Sequence, residues 1–250
     1  MLRLKNILLV TCVLLVIVSC SDDDYTNNLL EDSLDLIASY KISVLEPSGL
    51  AFDFQDSVLY TVSDNSGDIY KLSTNGDIIK KYSYGGNDLE GISIYKDSKL
   101  LLAEERYKQL VEYNLSTGSS TSHYINYINT STNYGIEGVA YKTNDGTTFV
   151  LNEKEPGKML RLRSDFSIIA EYDLNFASDY SGICYDEFTN NLWIVSDQSK
   201  TINRCTLMGL LIDKYSIRVN QAEGIAVTNN RIYIVSDPES TLYVYEKPKE

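Results

Sequence analysis

Short apolar runs separated by polar turns cover the chain from about residue 36 to its end. β-Branched and aromatic residues dominate the runs, and no stretch keeps an apolar residue every 3.6 positions for long enough to form a helix. One such run recurs in five related forms, VLYTVSD, LLLAEE, TTFVLNE, LWIVSD and IYIVSD. The pattern predicts an all-β fold built from a repeated unit.

A glycine before a short apolar run marks the start of each repeat. The five glycines are Gly49, Gly91, Gly138, Gly182 and Gly224, with spacings of 42, 47, 44 and 42 residues. A fixed period in this range is typical of propellers and solenoids. Each repeat offers a first, second and third strand, and most offer a fourth, which matches a four-stranded antiparallel propeller blade.

The fourth strands decide how the array closes. The related runs IIKKYSY, IIAEYDL and LIDKYSI end three repeats, whereas the fifth repeat stops at Glu250 without one. A matching run, LIASYKI, occupies residues 36–42, where Tyr40 precedes Gly49 by nine residues. We therefore predict a five-bladed β-propeller whose last blade is completed by the N-terminal strand. An open solenoid, the alternative, gives no reason to divide one repeat between the two ends.

The start of the chain predicts a removable leader. Arg3 and Lys5 precede an apolar run, residues 7–18, that is too short to span a bilayer comfortably. The run ends at Ser19-Cys20, which resembles the lipobox of bacterial lipoproteins, in which the cysteine carries the lipid. A plain signal anchor with an incidental cysteine is the alternative.

Three segments follow from this interpretation. Residues 1–19 are a lipoprotein signal peptide, residues 20–33 a lipid-anchored acidic linker, and residues 34–250 the propeller. The acidic run after Cys20 resembles a surface-export signal, and the alternative is that it only keeps the linker solvated. We expect a lipoprotein of the bacterial cell envelope, anchored in the outer membrane and exposed at the surface if the run is an export signal. Its expected partners are the bilayer and an unknown envelope ligand or protein. We expect the propeller itself to be a monomer.

Charge and cysteine content exclude several classes of function. Without Arg3 and Lys5, 20 basic residues face 35 acidic ones, a net charge of −15. Nucleic acid is therefore not an expected partner, because it requires a basic surface. Only Cys184 and Cys205 remain in the propeller, so no disulfide framework is expected. The single histidine, His123, lies in a predicted outer strand, and no nucleophilic triad can be assembled around it.

Acidic residues recur at two positions of the repeat. In an antiparallel pair, the start of the first strand and the end of the second lie at the same edge. The residues before the five glycines should therefore converge at the axis, and the residues after the second strands should form a ring farther out. The inner set is Ser48, Glu90, Glu137, Ser181 and Glu223. The outer set is Asp64, Glu105, Glu153, Asp197 and Asp237. The outer acids could instead cap the turns that follow them.

The inner glutamates predict a metal site. Three carboxylates in a partly desolvated channel require a proton, a basic side chain or a cation to offset their repulsion. An all-oxygen ligand set favours a hard cation, and calcium accepts irregular geometry better than magnesium. We expect axial Ca²⁺ held by Glu90, Glu137 and Glu223, with Ser48 and Ser181 as weaker ligands or water holders. Pairing with backbone amides or basic loop residues is the alternative.

The segments DLEGI, GIEGVAY and AEGIAV, together with the closing strand and the lipobox, resemble the SdiA-regulated (YjiK-like) family, distant relatives of NHL-repeat propellers. The resemblance covers about residues 35–247. It implies a five-bladed propeller that binds calcium, with an activity that is not established for the family.

Two functions are compatible with these features. The first is an envelope-anchored, calcium-binding propeller that acts as a binding or scaffold module and has no catalytic residues. The second is a calcium-dependent hydrolase, similar to lactonase and esterase propellers, in which the metal polarises a carbonyl or phosphoryl oxygen and Asp64 or Asp197 acts as base. Glycan binding by some of the 20 tyrosines is a third, minor possibility.

Overall fold

The computed structural model describes residues 32–96, 98–126 and 135–249. The regular elements in these ranges are all β-strands, which confirms the predicted fold class. The predicted signal peptide, Cys20 and residues 21–31 of the predicted linker lie outside the described residues. Within the described ranges no helix is long and apolar enough to cross a membrane.

Most of the strands in the described residues are five or six residues long and contain alternating or continuous apolar positions. In chain order they are β1 (Asp32–Ser33), β2 (Leu36–Lys41), β3 (Pro47–Asp53), β4 (Val58–Ser63), β5 (Asp68–Leu72), β6 (Ile78–Tyr82), β7 (Leu89–Ile94), β8 (Lys99–Glu104), β9 (Gln109–Asn114), β10 (Ser120–Tyr124), β11 (Ile136–Lys142), β12 (Thr147–Asn152), β13 (Lys158–Leu162), β14 (Ile168–Asp173), β15 (Gly182–Asp186), β16 (Asn191–Ser196), β17 (Thr201–Cys205), β18 (Leu211–Ser216), β19 (Ala222–Val227), β20 (Arg231–Ser236) and β21 (Thr241–Glu246).

Five sheets form the five blades of the propeller. Blade 1 is β3–β6, blade 2 is β7–β10, blade 3 is β11–β14, and blade 4 is β15–β18. Blade 5 consists of β19, β20 and β21 with β2 as its fourth strand. The first strand of each blade lies innermost, so the five glycines of the repeat meet around the axis.

The closure of the ring is confirmed. β2 pairs antiparallel with β21, with Tyr40 opposite Leu242, and the backbone N–H of Ile42 continues the ladder to the Ser240 carbonyl at 2.9 Å. A short strand precedes the closing strand. Strand β1 pairs in parallel with β18 at the outer edge of blade 4, with Asp32 opposite Tyr215.

The hydrophobic core lies between neighbouring blades. Leu50 and Leu59 of blade 1, for example, pack against Tyr233 and Val235 of blade 5. Equivalent clusters fill the other four junctions. Since every blade buries both faces, removing one strand exposes apolar surface on a neighbouring sheet as well as on its own. The two cysteines of the propeller are free thiols, as expected.

The innermost strands approach one another too closely for side chains at the repeat glycines. A Cβ atom on Gly224 would lie 2.5 Å from the backbone carbon of Gly49, and one on Gly49 would lie 2.9 Å from the backbone nitrogen of Ile92. Gly49 also has φ of +58°, a conformation that favours glycine. The glycines therefore narrow the axis at this level, and the residues just before them surround its opening.

Candidate metal centre

An acidic cavity of about 310 Å³ opens at the end of the axis where the first strands begin. It is lined by eight carboxylate side chains and one hydroxyl. These residues are Glu46, Ser48, Asp64, Glu90, Glu105, Glu137, Glu153, Glu223 and Asp237. The cavity unites the three predicted inner glutamates with four of the five predicted outer acids. Glu46, which the sequence interpretation did not single out, adds a further carboxylate.

A β-bulge explains how the three glutamates are placed. In blade 2, Leu89 pairs with Glu104 and Gly91 pairs with Ala103, so Glu90 is an extra residue between them. Glu137 and Glu223 are extra residues in the same way in blades 3 and 5. A bulge interrupts the alternation of a strand and redirects one side chain. In blade 1 the extra residue is Gly49 rather than Ser48, so this blade offers no redirected acid.

The outer acids each follow the last residue of a second strand, and in blades 1, 3 and 4 that preceding residue caps the turn. The Ser63 hydroxyl accepts the Ser66 backbone N–H at 3.2 Å, and the Ser196 hydroxyl accepts that of Ser199 at 3.1 Å. The Asn152 side chain donates to the carbonyls of Lys154 and Pro156. In these three blades the neighbour of the outer acid therefore performs the capping role that the sequence left open for the acid.

The closest group of carboxylates differs from the expected one. Oxygen atoms of Asp64, Asp88 and Glu90 all lie within 4.8 Å of one another, and no other group of three metal-ligand side chains in the described ranges does so. Of the three predicted ligands, only Glu90 belongs to this group. Asp88 was missed, although it stands two residues before Glu90 in the segment DLEGI. The backbone of Asp88 has φ of +60°, and its carboxylate pairs with Arg106 at 3.1 Å. Both features form only in the folded chain, so the sequence does not reveal them.

The inner glutamates repel one another in a poorly solvated place. Burial, followed by the charges of Asp64 and Glu223, raises the pKa of Glu90 well above its usual value. Burial and the neighbouring Glu90 raise the pKa of Glu137 in the same direction. Burial, with Asp197 and Asp237 nearby, raises the pKa of Glu223 to about 8. None of the three glutamates forms an ion pair with a lysine or arginine of the described residues.

The outer acids are only partly neutralised. Glu105 accepts a hydrogen bond from the Gly135 backbone at 2.7 Å, and Glu153 pairs with Lys154 at 2.6 Å. Asp197 pairs with Lys200 at 2.7 Å and does not line the cavity, although it lies near Glu223. One oxygen of Asp237 is buried and has no hydrogen-bond partner. Burial also raises the pKa of Asp64 and of Asp237.

The two serines of the inner set behave differently. Ser48 lines the cavity, which is compatible with the predicted weak ligand. Ser181 is buried, and its hydroxyl donates to the Ala222 carbonyl at 2.7 Å. That bond connects blades 4 and 5, and it uses the hydroxyl proton of Ser181 outside the cavity. His123 lies in β10, an outer strand, next to Glu112 and Phe166, as the sequence predicted.

The donor set suits a hard divalent cation. The cavity offers only carboxylate and hydroxyl oxygens, and two of its carboxylates, Asp64 and Glu90, lie close to each other and to Asp88, which is not part of the lining. Calcium takes six to eight oxygen ligands in irregular geometry, which about eight carboxylates around one cavity can supply. A metal would also offset the repulsion that raises the pKa of Glu90, Glu137 and Glu223.

Structural comparisons agree with the propeller fold. A glutaminyl cyclase from Myxococcus xanthus superimposes with a TM-score of 0.64 at 12% identity, over 87% of this chain and all of that one. A streptogramin B lyase gives 0.50 at 20% identity, over 85% of this chain and 73% of that one. Virginiamycin B lyase from Staphylococcus aureus gives 0.51 at 18% identity, over 81% and 66%. At these identities the likeness concerns the fold alone.

The family assignment comes from the sequence. The model of the SdiA-regulated family matches residues 33–246, which include all five blades, the closing strand β2 and every carboxylate of the axial cavity. The chain therefore belongs to the SdiA-regulated family.

Proposed function

We propose that this protein is an envelope-anchored binding module whose axial cavity holds calcium. The observation that carries the proposal is the close group of Asp64, Asp88 and Glu90, of which Asp64 and Glu90 line the acidic cavity together with six further carboxylates. In this arrangement Asp64, Asp88 and Glu90 supply the first ligands. Glu137 and Glu223, which face the same cavity, add charge or further ligands.

The cation has a structural role and a functional one. It joins the start of blade 2 to the end of the second strand of blade 1, because Asp88 and Glu90 precede or begin β7 while Asp64 follows β4. It also leaves a coordination position at an open cavity, where a carbonyl group of a ligand can complete the coordination. The protein then acts as a calcium-dependent binding module at the cell surface.

Calcium should raise the melting temperature of the folded protein. A cation that binds only the folded state at 100 times its Kd adds about 2.7 kcal/mol to the free energy of unfolding, or roughly 5–10 °C in Tm for a domain of this size. Glu90→Gln should remove most of this shift. Glu137→Gln should reduce it less, because Glu137 lies outside the close group.

A variant at an exposed glutamate is the control for the calcium prediction. Glu171→Gln removes the same charge from an exposed site in β14, where Glu171 pairs with Lys158 at 3.2 Å, and should leave the shift intact. If elemental analysis finds no metal and melting ignores both calcium and chelator, the proposal is wrong. Calcium-dependent turnover of lactones or aryl esters that Glu90→Gln abolishes would instead favour the hydrolase.

Attachment to the membrane is tested at Cys20. Cys20→Ala removes the thiol that the lipobox interpretation assigns to the lipid, so the protein should no longer incorporate radiolabelled fatty acid and should leave the membrane fraction. Cys184→Ala is the matched control, since Cys184 lies inside the propeller in β15. A Cys20→Ala protein that still incorporates fatty acid would contradict the lipid anchor.

A further inference from the structure

A second cavity, of about 300 Å³, opens at the opposite end of the axis. Most of its walls come from residues that follow the repeat glycines in the first strands of the five blades. Between the two cavities, the glycines and the apolar residues after them, such as Leu50, Ile92 and Ile183, leave no room for a water molecule. The second cavity is therefore separate from the acidic one, and we call it the apolar pocket.

The repeat itself creates this space. The residue two positions after each glycine is small in every blade, whereas the residues on either side of it are large. These small residues are Ala51, Ser93, Ala140, Cys184 and Ala226, and four of the five line the pocket. Phe52, Tyr141 and Tyr185 form much of the apolar wall beyond them. Small ligand pockets in proteins have this character, a mainly apolar lining with a few polar groups, and their volumes begin at about 300 Å³.

Exposed aromatic rings stand at the mouth of the pocket. Phe54 is 44% exposed and Phe188 is 50% exposed, and their ring centroids lie 5.6 Å apart although they belong to blades 1 and 4. Phe54 also contacts Phe52 inside the pocket at 4.9 Å. The aromatic surface thus continues from the solvent into the pocket. The buried ammonium of Lys247, which pairs with Asp186, lies 5.8 Å from the centroid of the Phe188 ring.

Two carboxylates complete the same side of the mouth. Asp53 and Glu187 line the pocket, next in sequence to Phe54 and Phe188 respectively, and neither forms an ion pair with any residue that the structure describes. Two lysines lie beside rings of the pocket wall. Lys142 of blade 3, which pairs with Asp145, lies 5.7 Å from the centroid of the Tyr185 ring, and Lys96 of blade 2 lies 5.7 Å from that of the Tyr141 ring. No lysine or arginine is among the residues of the pocket wall.

We propose that the apolar pocket binds a small hydrophobic cation, an amine or quaternary ammonium carried on an apolar body. The body enters the space above the small residues. The cationic head remains at the mouth, where the faces of Phe54 and Phe188 and the carboxylates of Asp53 and Glu187 attract it. Aromatic faces attract cations, and carboxylates without an ion-pair partner attract them as well. The thiol of Cys184 has its pKa raised by burial, so it contributes to the wall rather than to chemistry.

Three probes of nearly equal shape test the charge preference. Benzyltrimethylammonium is the cation, neopentylbenzene replaces its nitrogen by carbon and is neutral, and 3-phenylpropionate is an anion. Binding is measured by NMR titration of the ¹³C-labelled full propeller with calcium present. We expect the cation to bind most tightly, with shifts concentrated in phenylalanine signals, and at least about fivefold more tightly than the neutral compound.

Variants at the mouth locate the site. Asp53→Asn combined with Glu187→Gln should weaken binding of the cation by roughly fivefold while leaving the neutral compound unchanged. Phe188→Ala should weaken both. Asp77→Asn, an exposed aspartate in a turn of blade 1, is the charge-matched control. Glu90→Gln, which affects the acidic cavity alone, should change nothing, so the result is independent of the calcium proposal. Equal or tighter binding of the anion, or binding of the cation that Glu90→Gln removes, would overturn this assignment.

Discussion

Deleting residues 34–44 should abolish cooperative folding of the propeller or lower its Tm by roughly 10 °C or more. The deletion removes β2, so β21 loses its ladder partner and blade 5 has an open edge. It also removes Ile42 and Val44, which are buried among residues of blades 1 and 5. Exposed strand edges with apolar faces pair with other chains, so the shortened protein should also aggregate.

A deletion of residues 21–31 is the control, because this polar segment precedes the first strand and is predicted to be a solvated linker. Both proteins are produced without the signal peptide and compared by circular dichroism during heating and by size-exclusion chromatography. Unchanged melting of the protein that lacks residues 34–44 would mean that β2 does not hold the ring closed.

The fold could be predicted from sequence because its main determinants are local and repeated. The glycine spacing and the tyrosines of the fourth strands indicate the number of blades. The displaced copy around Tyr40 indicates that the N-terminal strand closes the ring. The pairing of β1 with β18 had no such signal. Asp32 and Ser33 are polar, and they pair only because the outer edge of blade 4 lies nearby after folding.

The site was predicted less completely, and the reason is the bulge. Periodicity places Glu90, Glu137 and Glu223 at equivalent positions, and all three do face one cavity. Periodicity does not predict where in the cavity each carboxylate lies. That position depends on the extra residue in each strand and on the neighbouring loop. Asp88 joins Asp64 and Glu90 because its backbone is left-handed and its carbonyl accepts the Glu105 backbone N–H at 3.0 Å.

The apolar pocket was missed for a related reason. The acids before each glycine predict a site on one side of the axis, and the small residues after it have no local pattern that predicts a pocket on the other. Ala51, Ser93 and Ala226 are unremarkable in a strand taken alone. Only when five strands converge on an axis does a small residue in each one leave a common space.

Without calcium, the propeller should become less stable as the pH rises from about 5 to about 8. The clearest group is Glu223, whose pKa is raised from 4.5 to about 8 by burial and then by Asp197, Asp237, Asp179 and Glu153. Between these two values the folded state keeps a proton that the unfolded state has lost. Stability therefore falls with increasing pH throughout this window and levels off above it.

Calcium should reverse this dependence, because it binds the ionised carboxylates and competes with protons. We expect Tm in chelator to fall by about 5–10 °C between pH 5.5 and 8.5, and the gain on adding calcium to be small at the lower pH and largest at the higher one. Glu223→Gln, which stays neutral, should reduce the slope of the curve in chelator, whereas Glu171→Gln should not. The slope that remains comes from Glu90 and Glu137, whose pKa values are raised in the same direction. A Tm in chelator that rises with pH would show that folding does not disfavour the ionised glutamates, and calcium would then have no repulsion to relieve.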